Sequence, residues 1–275
     1  MLLKLYKSNQ PFVLLFLPLL ALVFWIKSYI HPLDLSSYHY SLFSDRYNFL
    51  QIKFEWLNTT IALVMVFLGA VLLNSIANKQ KFMDKENYLP AFFYVLFNSF
   101  YVGQLFLTPV LLANIFLLLS LQRFLNMYRQ NIVFSECFDS GFLLAIAVVF
   151  YLPYLFLLPL IYIGLIIIRS FSWREWVLPL LGFLCVFFLV FVWFFVFDLR
   201  LKPIMFDRPN IFLPLSLSHY PWVGYSFLIF SSIIVLLSFG ALIPQYGKSS
   251  VQEKNAKLIF IWLLFFMLGI FFIAG

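Results

Sequence analysis

The sequence predicts an all-α, polytopic transmembrane bundle of about nine helices, amino terminus inside and carboxy terminus outside. Three observations predict it: an extreme apolar composition, apolar stretches of bilayer-crossing length, and an uneven share of Lys and Arg between alternate gaps. Of 275 residues, 64% are hydrophobic and 11% charged. Soluble domains carry about 45–50% apolar and about 25% charged residues. A chain this apolar cannot cover a water-facing surface with polar groups, so lipid must solvate much of it. The 38 Phe suit hydrocarbon, while the 15 Tyr and 7 Trp suit the interface, one end apolar and the other wet.

The elements follow in chain order. Lys4 and Lys7 precede an apolar run over 11–30. Phe24-Trp25-Ile26-Lys27 offers no small-residue cleavage pair, so the run reads as a retained first helix and not a secretory leader. A second span covers 57–76. Residues 89–121 would make a single helix of roughly 50 Å, against a hydrocarbon core of about 30 Å. The region therefore reads as two short helices, 88–101 and 105–122, broken at Asn98–Gln104, where Asn98, Ser99, Gly103 and Gln104 supply turn residues. Residues 138–169 pose the same problem and divide into 138–151 and 154–169. There Pro153 removes a donor and disfavours helix in the residue before it. For either region a re-entrant pair buried in protein is the alternative. Spans at 175–197, 222–242 and 257–274 complete a single integral membrane domain.

Charge sets the orientation. In this arrangement the inner gaps hold Lys4, Lys7, Lys79, Lys81, Lys85, Arg123, Arg129, Arg169, Arg174, Lys248, Lys254 and Lys257, twelve of the 18 basic residues. The outer gaps hold the other six: Lys27, Arg46, Lys53, Arg200, Lys202 and Arg208. Were both long regions single helices, the contrast would fall to 10 against 8. Basic residues gather on the cytoplasmic side, so the larger asymmetry selects nine helices.

Several function classes lose support. A net charge of +7 fits cationic loops at an anionic leaflet better than nucleic-acid binding. The polar residues inside the apolar runs, Asn58, Thr59, Thr60, Asn74, Ser75, Thr108 and Asn114, are not ionisable, which argues against a proton-coupled transporter. Cys137 and Cys185 have no metal-ligand spacing, and no phosphate-cradling glycine loop or Cys-x-x-Cys pair occurs. No metal or cofactor is expected.

Two outer segments leave room for surface chemistry. Residues 31–56 hold His31, Asp34, His39, Asp45 and Arg46, and residues 198–221 hold Asp198, Arg200, Asp207, Arg208 and His219. Their histidines lack ligand spacing, so solvated loop positions are the default. Arg46, Arg200 and Arg208 have the fork geometry to grip a lipid phosphate, and pairing with Asp45, Asp198 and Asp207 is the cheaper alternative. On the inner face Trp173, Arg174 and Trp176 form an interfacial anchor, rings at headgroup depth and guanidinium groups on lipid phosphates.

Three stretches carry a resemblance. Tyr6-Lys-Ser8-Asn9-Gln-Pro11, Phe138-Asp-Ser-Gly141 leading to Tyr151-Leu-Pro153, and Arg169-Ser-Phe171-Ser-Trp173-Arg174-Glu175-Trp176 resemble a family of uncharacterised bacterial inner-membrane proteins. That likeness implies a multi-pass protein of the bacterial inner membrane without an assigned activity. More distantly, an inner amino terminus, one helix and an acid-bearing outer segment are similar to membrane-embedded sugar transferases that use lipid-linked donors. This second likeness implies a carboxylate at Asp34 or Asp45 acting as base or metal ligand, with a polyprenyl-phosphate-linked glycan as substrate. The sequence lacks the paired Asp-Asp or Asp-x-Asp acids of such enzymes. The leading expectation is a non-catalytic component, a scaffold or accessory subunit partnered by the bilayer and other integral subunits. A small polyprenyl-phosphate transferase or binder is the alternative.

Overall fold

The structure is a computed structural model that describes residues 12–30, 55–83, 85–100, 105, 107–128, 130–197, 233–234, 238, 240 and 250–274. Among the described residues it is all-helical, without strands. Eight helices follow in order: α1 (Phe12–Ile30), α2 (Glu55–Lys79), α3 (Leu89–Phe100), α4 (Pro109–Asn126), α5 (Phe134–Phe150), α6 (Leu158–Ile168), α7 (Trp173–Val196) and α8 (Val251–Ala274). The ninth expected span, 222–242, lies almost wholly outside the described residues. By length and composition α4, α7 and Trp56–Lys79 of α2 are able to cross a membrane.

Both long apolar regions are divided, and local chemistry explains each break. After α3 the chain restarts as a helix at Pro109, four residues beyond the expected 105. The Thr108 hydroxyl caps the Leu111 N–H at 3.3 Å, and Pro109 occupies the first turn, where an N–H has no helical partner. In the second region α5 ends at Phe150, and Leu152–Leu157 forms a 3-10 turn before α6 begins at Leu158, not 154. Pro153 sits at the start of that turn, where its missing donor costs nothing.

Two buried apolar clusters hold the bundle. The smaller joins α1, α2 and α3 through Leu17, Trp25, Val66, Ala70 and Val95. The larger joins α4 to α8 through Leu117, Phe124, Leu144, Val148, Leu165 and Ile259. Tyr94 packs against both, its phenol lying over Gly69 and accepting from Asn114 Nδ2 at 3.2 Å. Closest approach occurs between α5 and α7, where Gly141 meets the Pro179 backbone and Gly182 meets the Phe138 carbonyl. Small residues permit this backbone contact, the usual route to helix association in a bilayer.

Polar side chains on the apolar helices serve as interhelical ties. Trp25 Nε1 donates to Ser99 Oγ at 3.0 Å, and Ser120 Oγ donates to the Ser140 carbonyl at 2.7 Å. Asn58 Oδ1 accepts from the buried Leu107 N–H at 2.8 Å, fixing the chain just before α4. Replacing Asn58 with Ala leaves that N–H without its partner. The expected loss is about 1–3 kcal/mol of stability, read from thermal denaturation in detergent; an unchanged midpoint would refute the tie.

Candidate functional site: the polar end of the bundle

Four connecting segments meet at one end of the bundle. Gln80, just past α2, donates to the Leu125 carbonyl of α4 and accepts from Gln252 of α8 at 3.3 Å. Gln252 also donates to the Lys79 carbonyl, and Asn255 donates to the Ile167 carbonyl at the end of α6. Arg169 Nη1 donates to the Gln130 carbonyl at 2.6 Å, tying the α6–α7 turn to the α4–α5 turn. The segments around Lys79–Lys85, Arg123–Gln130, Arg169–Arg174 and Lys254–Lys257 therefore share one end, termed here the basic end.

The local structure explains why these segments hold still. α2 closes with the Phe82 N–H on the Ala77 carbonyl and the Lys81 N–H on the Asn78 carbonyl. This is a Schellman closure, and Lys81 takes the left-handed conformation it needs, φ 56°. Asn78 and Asn87 then exchange side-chain to backbone hydrogen bonds, and Asn87 Oδ1 accepts from the Leu89 N–H at the start of α3. The 80–88 connection is thus pinned at both ends.

The principal electrostatic feature is Arg169 Nε against Glu175 Oε2 at 3.0 Å, with side chains 20% and 11% exposed. Glu175 lies in the first turn of α7, where a carboxylate also meets the positive helix end. Lys257 is 7% exposed and pairs with Glu253 one turn earlier in α8. Arg123 and Asp139, at 3.8 Å and well exposed, add little.

The anchor residues separate into two roles. Trp173 is 66% exposed, and the Arg174 guanidinium lies over its ring at 5.7 Å. Trp176 is half-buried and packs on Tyr162 and Phe171 with ring centroids 5.7 and 5.1 Å away. The first pair faces outward; the third residue belongs to the packing between α6 and α7.

The outer candidates Asp34, Asp45, Arg46, Arg200 and Arg208, and the three histidines, lie outside the described residues. Among the described residues no three His, Cys, Asp or Glu side chains lie together as a metal site would require. A void lined by Leu117, Ser120, Phe124, Leu144, Leu157 and Ile161 has room for about one water, with a volume near 10 Å³.

Sequence reasoning missed the polar ties of the basic end. Gln80, Gln252 and Asn255 looked like loop residues because hydropathy placed the start of the last helix at 257. α8 begins at Val251 instead, so Lys257 is buried two turns inside it. Searches among family models, curated proteins and solved structures find no match to this chain.

Proposed function

We propose that the chain is a non-catalytic, multi-pass component of the bacterial inner membrane, a scaffold or accessory subunit within a larger envelope or export assembly. One observation carries this reading: a set of polar side chains drawn from the described helices and their connections joins helices to one another. Trp25, Asn58, Asn114 and Ser120 tie helices within the bundle, while Gln80, Gln252, Asn255, Arg169 and Glu175 tie the basic end. Such a framework suits lateral packing with other membrane subunits. Mild-detergent purification of the tagged chain is expected to bring down stoichiometric integral partners. A monodisperse monomer without any would overturn the proposal.

Within this reading the chain crosses the bilayer nine times, with the basic end in the cytosol. Shared attachment of four basic segments to one end supports that order, since each helix pair then goes out and returns. α7 leaves the basic end and runs about 36 Å away from it, whereas α8 starts there. A return crossing by 222–242, the long apolar run of the sequence between them, fits that order. Cysteine labelling tests the sidedness. With Cys137 and Cys185 replaced, a cysteine at Lys85 is expected to react with an impermeant maleimide only after the inner membrane is opened. One at Leu155, exposed in the 3-10 turn, is expected to react from outside. The opposite pattern would reverse the orientation.

A further inference from the structure

The outward face of α7 is an unbroken apolar stripe. Trp173, Val177, Leu180, Leu184, Phe188 and Phe191 recur at helical spacing, and all are exposed. The stripe ends at the basic end in a cation. Glu175, the adjacent carboxylate, is turned inward and held by Arg169, leaving Arg174 on the Trp173 ring and, among the described residues, without an acidic partner. Arg169 is itself occupied by Glu175 and the Gln130 carbonyl, so Arg174 alone of the two presents its charge outward. From Trp173 to Leu184 the helix rises about 17 Å, close to one leaflet of a hydrocarbon core about 30 Å thick.

We propose that this face binds one anionic phospholipid, its phosphate on the Arg174 guanidinium beside Trp173 and an acyl chain along Val177, Leu180 and Leu184. The inference rests on the reading that α7 spans the bilayer. Charge complementarity selects the occupant, because an amphiphile with a negative head and an apolar tail matches a cation followed by a leaflet-long apolar stripe. The order of head and tail also matches the helix direction, since Arg174 sits at the basic end with a fork suited to a phosphate and the apolar stripe follows it. Phe171 and Tyr162 bracket Trp176 and so hold the start of α7 rigid while Trp173 faces lipid.

The test uses the full chain in neutral maltoside micelles with fluorescent phosphatidylglycerol as probe. Unlabelled phosphatidylglycerol is expected to displace the probe at least about fivefold better than phosphatidylcholine, the effect of one basic side chain at an anionic headgroup. Sodium phosphate alone is expected not to displace it, since the acyl contacts are absent. Arg174→Gln is expected to weaken phosphatidylglycerol binding about fivefold and remove the preference over phosphatidylcholine, with an unchanged melting midpoint. Arg174→Lys is expected to retain most of it. Equal binding by wild type and Arg174→Gln, or no preference in the wild type, would overturn the proposal. So would a probe that binds only after a co-purifying protein is stripped, which assigns the stripe to that protein. Failure of the bilayer reading is separate: the chain would then leave membranes on alkaline extraction.

Discussion

Gly141→Leu is expected to prevent assembly of the bundle, and Gly141→Ala to lower its stability by about 1–3 kcal/mol, the usual cost of an overpacked contact. A Cβ at Gly141 would fall inside contact distance of the Pro179 carbonyl, and one at Gly182 inside that of the Phe138 carbonyl. Both neighbours are backbone, so neither yields by a rotamer change; α5 and α7 must separate. Pro179 contributes to the approach, because it withholds a backbone donor from the Glu175 carbonyl and sits buried at the crossing. Gly269→Ala in α8 is the control: nothing lies within 4 Å of the new methyl, and the substitution is expected to be neutral or stabilising by up to about 1 kcal/mol. Size-exclusion profiles and thermal melts in detergent distinguish these outcomes. Equal midpoints for Gly141→Ala and Gly269→Ala would mean that the α5–α7 contact is looser than described.

Breaking the Arg169–Glu175 pair is expected to have the second-largest effect. Arg169→Gln leaves the Glu175 carboxylate only 11% exposed with its cation gone, and Glu175→Gln strands the guanidinium. Removing one partner of a buried pair costs about 3–5 kcal/mol. The lower figure, about 3 kcal/mol, applies here because the arginine keeps a fifth of its exposure. Arg169 also donates to Gln130, so its loss frees the α4–α5 turn as well, and Arg169→Gln should be the worse variant. The double substitution is expected to cost less than the two single losses added together, since it leaves no lone charge. Simple additivity in melting experiments would show that the two side chains act independently.

The break points illustrate what the sequence makes legible. Residues 89–121 are too long for one upright helix, and α3 ends at Phe100, inside the expected Asn98–Gln104 break. Tyr151–Pro153 likewise follows the last residue of α5. Transfer into hydrocarbon is close to a sum over residues, so span length can be counted without knowing any neighbour. Helix starts were less accessible where capping decided them. Thr108-Pro109 is a readable start signal that hydropathy alone passes over, and Gln252-Glu253-Lys254-Asn255 is helical although polar because it docks on other helix ends. Of the candidate site residues, Trp173 and Arg174 face outward, whereas Trp176 is shared between α6 and α7.

Composition and spacing alone established an all-helical chain with membrane-length apolar runs, because apolar transfer acts residue by residue. Only the tertiary structure decided which helices touch, and that Glu175 turns inward to Arg169 while Arg174 stays out. Such pairings depend on depth and crossing geometry. Two arginines five residues apart, one ending α6 and one in the first turn of α7, are alike in sequence, and only the neighbouring helix ends make them different.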